Sequence, residues 1–231
     1  LRHGNTVLWD TKTESWWQQL SGEALTGRYA GAKLALVPFS ILSYEQFFQY
    51  YPYGLVMNPD PAEELLYGVN IYPEYDSPNR DKPFIVPYTP DPRLPAMEKV
   101  TRLTALQQTV LYPWSMVKSF GVINDAPNDV YVALFYESGV RSYQDQKLIK
   151  ESKDGGTVLA YSAFVNNQRL TFRREGAQFM DNETGSVWDL SGKCLSGKLK
   201  GEQLKLLESG IHFAFAALAI YPQAWIFGQG N

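Results

Sequence analysis

The sequence contains one cysteine, two histidines and no long hydrophobic run in its 231 residues. A single thiol excludes an intrachain disulfide and any cysteine-rich zinc site. The longest apolar stretch, Ile211 to Tyr221, is too short to span a bilayer and predicts a buried helix instead. The first residues show no apolar segment of a signal peptide. No membrane span, no metal site and no cofactor is therefore predicted.

Charge is also scarce, with 19% charged residues and a net charge of −3. The sequence has no cluster of Lys and Arg residues that could contact the phosphates of a nucleic acid, so no nucleic-acid partner is predicted. Hydrophobic residues make up 45%, which is enough for a sizeable core. The aromatic content of 14% favours β structure, since Tyr and Trp suit half-buried sheet faces.

The strongest pattern is an internal similarity between two stretches of the chain. The 43 positions from Asp10 to Pro52 contain 15 identities to a stretch that begins at Asp181 and ends at Pro222. Average residue usage would give roughly two or three. The first motif comprises Asp10, Thr13, Ser15 and Trp17, and the second Asp181, Thr184, Ser186 and Trp188. This similarity predicts two copies of one unit.

The predicted fold class is α+β, mainly β, with two related β-rich units that each contain a short helix ending in Tyr-Pro. A partial first unit covers residues 1–57, an ordered connecting loop 58–98, and a complete second unit 99–231. Strand-like sequence in the second unit begins near Val100, 81 residues before Asp181, but only nine residues precede Asp10. We therefore expect a protein partner, or a missing N-terminal segment of about 70 residues, to cover Leu1 to Trp9.

Local patterns predict where several elements lie. Ser43 to Tyr51 is typical of a helix that starts at an N-cap serine and ends before Pro52. Its counterpart, Ile211 to Tyr221, is apolar all round and should be more deeply buried. Lys33 to Val37 alternates as a strand does. Further strands are predicted over Val100 to Leu111, Val130 to Tyr136, Thr157 to Phe164 and Gln168 to Arg173.

The motif quoted above predicts a tight hairpin turn in each unit. Asp and Thr side chains can bond the backbone of such a turn. Gly185 stands where a three-residue hairpin needs a left-handed residue, and Glu14 takes that place less comfortably in the first unit. The structural explanation is therefore favoured over a catalytic pair formed by Asp10 and Asp181.

The chain resembles the family catalogued as domain of unknown function 3179. The resemblance rests on the two turn motifs, on Gln18 to Ala24, on Tyr67, Gly68, Asn70, Tyr72, Tyr75 and Asp76, and on Tyr112-Pro113, Ile123 to Asp125 and Leu170 to Phe172. It implies no established activity and a periplasmic or extracellular location. It also implies a Cys-Pro-x-Cys element and a Trp-His pair in the part of the first unit that this chain lacks.

The remaining candidate residues have structural explanations that outweigh functional ones. Cys194 is expected to be a small buried thiol. His212 is expected to be a core or boundary residue and His3 a surface residue. Aromatic and polar side chains that could line a binding surface are Trp16, Tyr67, Asn70, Tyr72, Tyr75 and Asp76. No catalytic residue is predicted.

Three functional hypotheses follow. The first is a non-catalytic interaction or structural subunit that needs a partner or its own N-terminal segment. The second is an extracytoplasmic thiol or metal redox protein, or an enzyme, whose reactive residues lie upstream of Leu1. The third is a carbohydrate-binding or hydrolysing protein that uses Asp10, Asp181 and the aromatic side chains.

Overall fold

The computed structural model describes residues 4–77, 80, 82–84, 86 and 88–229. Leu1 to His3 lie outside the described residues, and so do the predictions made for them. The fold is mainly β with three short α-helices in the described part, which confirms that the fold is α+β and mainly β.

The first unit is a small antiparallel sheet followed by a helix. Its strands are β1 (Val7–Asp10), β2 (Ser15–Gln18) and β3 (Ala24–Thr26), in the order β1-β2-β3. The helix α1 spans Tyr44–Tyr50. Ser43 caps α1 as predicted, because its side chain accepts from the Gln46 amide while the Gln46 side chain accepts from the Ser43 amide.

The remaining elements belong to the connector and the second unit. The connector contains a short 3-10 helix, Pro61–Leu66, and a bridge between Val69 and Leu148. The elements of the second unit are β4 (Lys99–Ala105), β5 (Gln108–Pro113), α2 (Trp114–Phe120), β6 (Val122–Asp125), β7 (Val132–Glu137), β8 (Thr157–Ser162), β9 (Phe164–Val165), β10 (Gln168–Arg169), β11 (Phe172–Glu175), β12 (Gln178–Asp181), β13 (Val187–Trp188), β14 (Cys194–Ser196), β15 (Ser209–Phe213), α3 (Ala214–Ile220) and β16 (Trp225–Ile226).

The strands of the second unit form three larger sheets. One sheet has the order β15-β4-β5-β16, in which only the β5–β16 pair is parallel. A second has the order β6-β7-β8, and a third the order β11-β12-β13-β14. Phe135 of β7 stacks on Phe179 of β12 with ring centroids 4.1 Å apart, so the second and third sheets share one core.

Each unit also packs against the other. Tyr50 and Leu42 pack on the core cluster of the second unit that contains Phe135. In return, Phe215 and Ala216 of α3 form a buried cluster with Leu20 of the first unit. The two units are therefore joined by side-chain packing as well as by the connector.

Several predicted elements differ from the structure. The predicted strands Thr157 to Phe164 and Gln168 to Arg173 are each divided, the first between β8 and β9 and the second between β10 and β11. Val100 to Leu111 is not one strand, because Leu106 adopts a left-handed conformation (φ 56°) and turns the chain between β4 and β5. The segment Ile211 to Tyr221 begins as part of β15 and becomes helical at Ala214, although the helix is as buried as expected. Lys33 to Val37 is not a strand, since a single bridge from Lys33 to Glu23 is its only pairing among the described residues.

Candidate functional site

The two turn motifs have the same local hydrogen bonds. The Thr13 hydroxyl donates to the Asp10 carboxylate, and the Thr184 hydroxyl donates to that of Asp181. The Ser15 hydroxyl accepts from the Tyr29 amide at 3.1 Å, and the Ser186 hydroxyl accepts from the Leu199 amide at 3.1 Å. The C-cap residues that follow α1 and α3 are Tyr51 and Tyr221, and each donates its backbone amide to the carbonyl four residues earlier.

The Asp181 carboxylate is fully engaged inside the protein. It accepts from the Thr184 amide at 2.6 Å, from the Ser186 amide at 3.2 Å and from Trp188 Nε1 at 2.9 Å. Asp181, Ser186 and Trp188 are all fully buried. This geometry satisfies a buried charge with donors from its own turn, and it leaves the carboxylate out of reach of solvent.

The Asp10 carboxylate makes similar bonds at the surface. Hydrogen bonds from the Thr13 hydroxyl and the Lys12 amide hold the pKa of Asp10 below its ordinary value. Glu14 occupies the left-handed position of this turn with φ 55°, as Gly185 does in the second with φ 68°. Asp10 and Asp181 thus each bind their own turn, and both motifs have a structural explanation.

The apolar face of the first unit is exposed where the same positions of the second unit are buried. Leu8 is 51% exposed, and Phe179 at the matching place in β12 is 0% exposed. Leu34 and Leu204 follow matching hairpins, and they are 56% and 2% exposed. The exposed apolar side chains of the first unit include Leu8, Leu34, Phe39, Tyr44 and Phe48, of which Tyr44 and Phe48 are in ring contact. We call this set the first-unit face.

Strand edges differ between the units in the same way. In the second unit β11 pairs with β12, and β4 pairs with β15. Within the described part of the first unit, the strand β1 pairs with β2 alone, and residues 39–43, which correspond to β15, form no strand. Unpaired backbone at a sheet edge is a template for an added strand. The first unit therefore presents an apolar face bordered by open edges.

A pair of tryptophans lies on the opposite side of the hairpin. Trp9 and Trp16 face each other across β1 and β2, and about half of each side chain is exposed. The matching positions in β12 and β13 hold Met180 and Val187. Trp16, predicted as a binding-surface residue, is therefore accessible and has an aromatic neighbour across the strand pair.

The predicted residues of the connector separate into two groups. Tyr67 and Tyr72 are exposed. Asn70 is buried, and its side chain donates to the Gln146 carbonyl while it accepts from the Tyr72 amide. Tyr75 is half-buried and stacks on Phe84. Asn70 thus holds the connector against the second unit and is not part of an open surface.

Asp76, the last of these residues, forms a buried charge cluster. Its carboxylate lies 2.5 Å from Lys99 Nζ and 3.3 Å from Lys153 Nζ, and it accepts from the Ser142 hydroxyl at 2.7 Å. Burial alone would raise the pKa of Asp76, but the Lys99 ammonium, with the hydrogen bonds from Lys99 and Ser142, lowers it below its ordinary value. One carboxylate therefore joins the connector to two separate segments of the second unit.

A cleft of about 550 Å³ opens beside this cluster. Asp76, Lys99 and Lys153 lie on one side of it, and Trp114 and Lys118 of α2 lie on another. Sequence reasoning found Asp76 but not the lysines or Trp114. Each of these is distant in sequence from Asp76 and stands in no motif, so no local signal pointed to them.

Burial shifts the pKa values of both the cysteine and the histidine of the second unit. Cys194 is buried, as predicted, and burial raises the pKa of its thiol. Burial and the nearby Arg102 guanidinium lower the pKa of His212 to about 3. Among the described residues, no group of three or more His, Cys, Asp and Glu side chains could hold a metal ion.

The fold and these sites define a mainly β protein with three short α-helices in the described part of the chain. Within that class, the chain belongs to the family described as protein of unknown function (DUF3179), whose family model matches residues 1–224. No curated protein and no solved structure matches the chain. In the described part of the chain, no helix is both long and apolar enough to cross a membrane.

Proposed function

We propose that the protein is a non-catalytic interaction or structural module whose first unit is completed by a β-rich polypeptide segment. The observation that supports this function best is the difference in exposure at matching apolar positions of the two units. Full burial of an exposed leucine contributes about 1.5–3 kcal/mol, and Leu8 and Leu34 still have about half of that burial to gain. Covering the first-unit face is therefore favourable.

The second unit indicates what kind of segment fits this face. Phe179 and Leu204, which match Leu8 and Leu34, are buried in the core that includes Phe135 of β7 and Phe172 of β11. The strand β11 also pairs with β12 along its whole length. A segment with the chemistry of residues 99–175 would thus cover the face with apolar side chains and pair with the edge of β1.

The source of the segment is suggested by chain order. In the second unit, the covering strands precede β12, and β11 joins β12 through only two residues, Gly176 and Ala177. We accordingly propose that the segment lies ahead of the first unit in the same polypeptide. In this proposal the two units are copies of one unit, and the apolar face of each copy is covered by strands that precede it in the chain. The cellular location that we propose is periplasmic or extracellular, and the family resemblance alone supports it.

Hydrogen exchange of the native protein, isolated from its source, tests this proposal against residues 1–231 produced alone. The amides of β1 should exchange at least about 100-fold more slowly in the native protein, because an added strand protects them. The amides of β12 are the internal control and should be equally protected in both samples. Intact mass of the native protein identifies the polypeptide that provides the protection.

Each outcome of these two measurements either supports or overturns the proposal. Protection of β1 within one polypeptide longer than 231 residues supports the proposal. Protection that appears only in a complex with a different polypeptide overturns the proposed source, and unprotected β1 amides overturn the function itself. An upstream segment that carries Cys and His would additionally favour the redox or enzymatic alternative.

Carbohydrate binding is the second candidate, and the Trp9–Trp16 pair supports it. Aromatic rings half exposed on a strand pair are a suitable stacking surface for sugars. A glycan-binding screen with the variants Trp16→Ala and Tyr72→Ala tests this function. Binding that is lost in Trp16→Ala and retained in Tyr72→Ala would assign it to the hairpin, and a blank screen would exclude it.

A further inference from the structure

The cleft beside Asp76 is independent of the first-unit face and has its own chemistry. It is bounded by the connector at Asp76, by the start of β4 at Lys99, by α2 and by the turn that contains Asp154. Its volume of about 550 Å³ lies in the range of small-molecule sites.

The carboxylates around the cleft are already engaged within the protein. Asp76 is paired with two lysines and bonded by Ser142. The Asp154 carboxylate accepts from the Gly139 amide at 2.9 Å and from the Gly156 amide at 2.8 Å. Glu98 accepts from the Ser115 amide at 2.8 Å. These groups need no cationic ligand to satisfy them.

The cations, in contrast, exceed the carboxylates that pair with them. Lys99 and Lys153 share the single charge of Asp76. Lys118 also lines the cleft, and it forms no ion pair within the part of the chain that the structure describes. Its ammonium is 5.9 Å from the centre of the Tyr136 ring. Arg80 also lines the cleft, so four cationic side chains face the three carboxylates of Asp76, Glu98 and Asp154. The cleft therefore has a net positive charge in a chain whose net charge is −3.

The other walls of the cleft are apolar. Trp114 is held in place by a 2.9 Å hydrogen bond from its Nε1 to the Thr101 hydroxyl, and Met97 and Pro95 lie nearby on the cleft wall. The Tyr136 side chain is nine-tenths buried, and its hydroxyl has no partner among the described residues. Burial of a hydroxyl without a hydrogen-bond partner is unfavourable. Some occupant that supplies an acceptor near Tyr136 would reduce this cost.

We propose that this cleft binds a small anion, a carboxylate or a phosphate, carried on an aromatic or apolar body. The anionic group lies near Lys118 and the Lys99–Lys153 pair, and the apolar body packs against Trp114 and Met97. Such a combination of one charged anchor and an apolar wall is how small-molecule sites fix both the identity and the orientation of a ligand.

Fluorine NMR relaxation of four aromatic probes tests this site in the 231-residue protein. The anionic probes are 4-fluorobenzoate and 4-fluorophenyl phosphate, and the controls of the same shape are neutral 4-fluorobenzyl alcohol and cationic 4-fluorobenzylamine. The anionic probes should bind at millimolar concentration or below, and the controls should not. Whichever of the two anionic probes binds more tightly shows whether the cleft prefers a carboxylate or a phosphate.

Variants locate the binding within the protein. Lys118→Gln should weaken binding of the anionic probes about tenfold, because a charge-assisted contact is lost. Lys118 is exposed on α2, so this change should leave the fold intact. Lys12→Gln removes an exposed lysine from the first hairpin and should leave binding unchanged. The proposal is wrong if neither anion binds, if the amine binds as well as the anions, or if both variants behave alike.

Discussion

Leu34 and Leu204 make the same backbone bond and have opposite environments. The Leu34 amide donates to the Gly22 carbonyl at 2.9 Å, and the Leu204 amide donates to the Gly192 carbonyl at 2.8 Å. Yet Leu34 is 56% exposed and Leu204 is 2% exposed. The difference arises from what packs on them, since the second-unit core that surrounds Leu204 is built largely from residues preceding its hairpin.

This relationship predicts unequal costs for the same mutation. In residues 1–231, Leu204→Ala should reduce the free energy of unfolding by about 2–4 kcal/mol, because it leaves a cavity in a packed core. Leu34→Ala should change it by less than about 0.5 kcal/mol, because the side chain is exposed. Urea unfolding followed by circular dichroism measures both. Equal losses would mean that the first-unit face is not open.

The turn motifs predict a second asymmetry. Asp181→Asn should destabilise the protein by about 2–3 kcal/mol, since it removes a charge that accepts bonds from Thr184, Ser186 and Trp188 in a fully buried place. Asp10→Asn should have a smaller effect, because that carboxylate lies at the surface. Thermal unfolding of the two variants compares them. A larger loss for Asp10→Asn would suggest a role for this residue beyond its turn.

The charge cluster around Asp76 predicts that the free energy of unfolding depends on pH in the acidic range. Asp76→Asn should reduce the free energy of unfolding at pH 7 by about 3 kcal/mol, because two lysines lose their buried partner. The folded-state pKa of Asp76 lies below its ordinary value of 3.8. Its contribution is therefore complete above the ordinary pKa and disappears as the pH falls through the folded value. Unfolding curves of wild type and variant should converge on acidification, and a constant gap would contradict this.

His212 predicts that stability begins to fall on acidification at a higher pH than the loss due to Asp76. Its pKa is 6.5 in the unfolded chain and about 3 in the folded protein, because of burial and the Arg102 guanidinium. The unfolded chain thus binds an extra proton between these values, and stability falls as the pH drops through this window. His212→Phe keeps a ring and removes the proton site, so its stability should vary less between pH 6.5 and 4. Parallel pH profiles would contradict the assignment.

Features with local causes could be predicted from the sequence. The N-cap of α1 follows from Ser43 and its end from Pro52, and the structure has both. The hairpin turns follow from Asp, Thr and Gly at turn spacing, and Gly185 is left-handed as expected. Leu106 is the counterexample, because a leucine at a left-handed turn position gives no signal, and the β4–β5 hairpin was predicted as one strand.

Features with distant causes could not be predicted. Asp76 belongs to a motif, but its partners Lys99 and Lys153 are 23 and 77 positions further along the chain, with no pattern that connects them. The cleft likewise depends on how α2 lies against the connector. The alternation over Lys33 to Val37 suggested a strand, but strand formation also requires a neighbour on which to pair.

The backbone of the connector is bonded to residues that follow it by about 70 positions. The amides of Asn70, Glu74 and Asp76 donate to the carbonyls of Lys147, Asp145 and Gln144. During synthesis at about 5–20 residues per second, Asp76 leaves the ribosome roughly 4–15 seconds before Lys153 does. Throughout that interval the tyrosine-rich connector is open to chaperones and proteases. The connector can therefore form its native hydrogen bonds only after the second half of the chain has been synthesised.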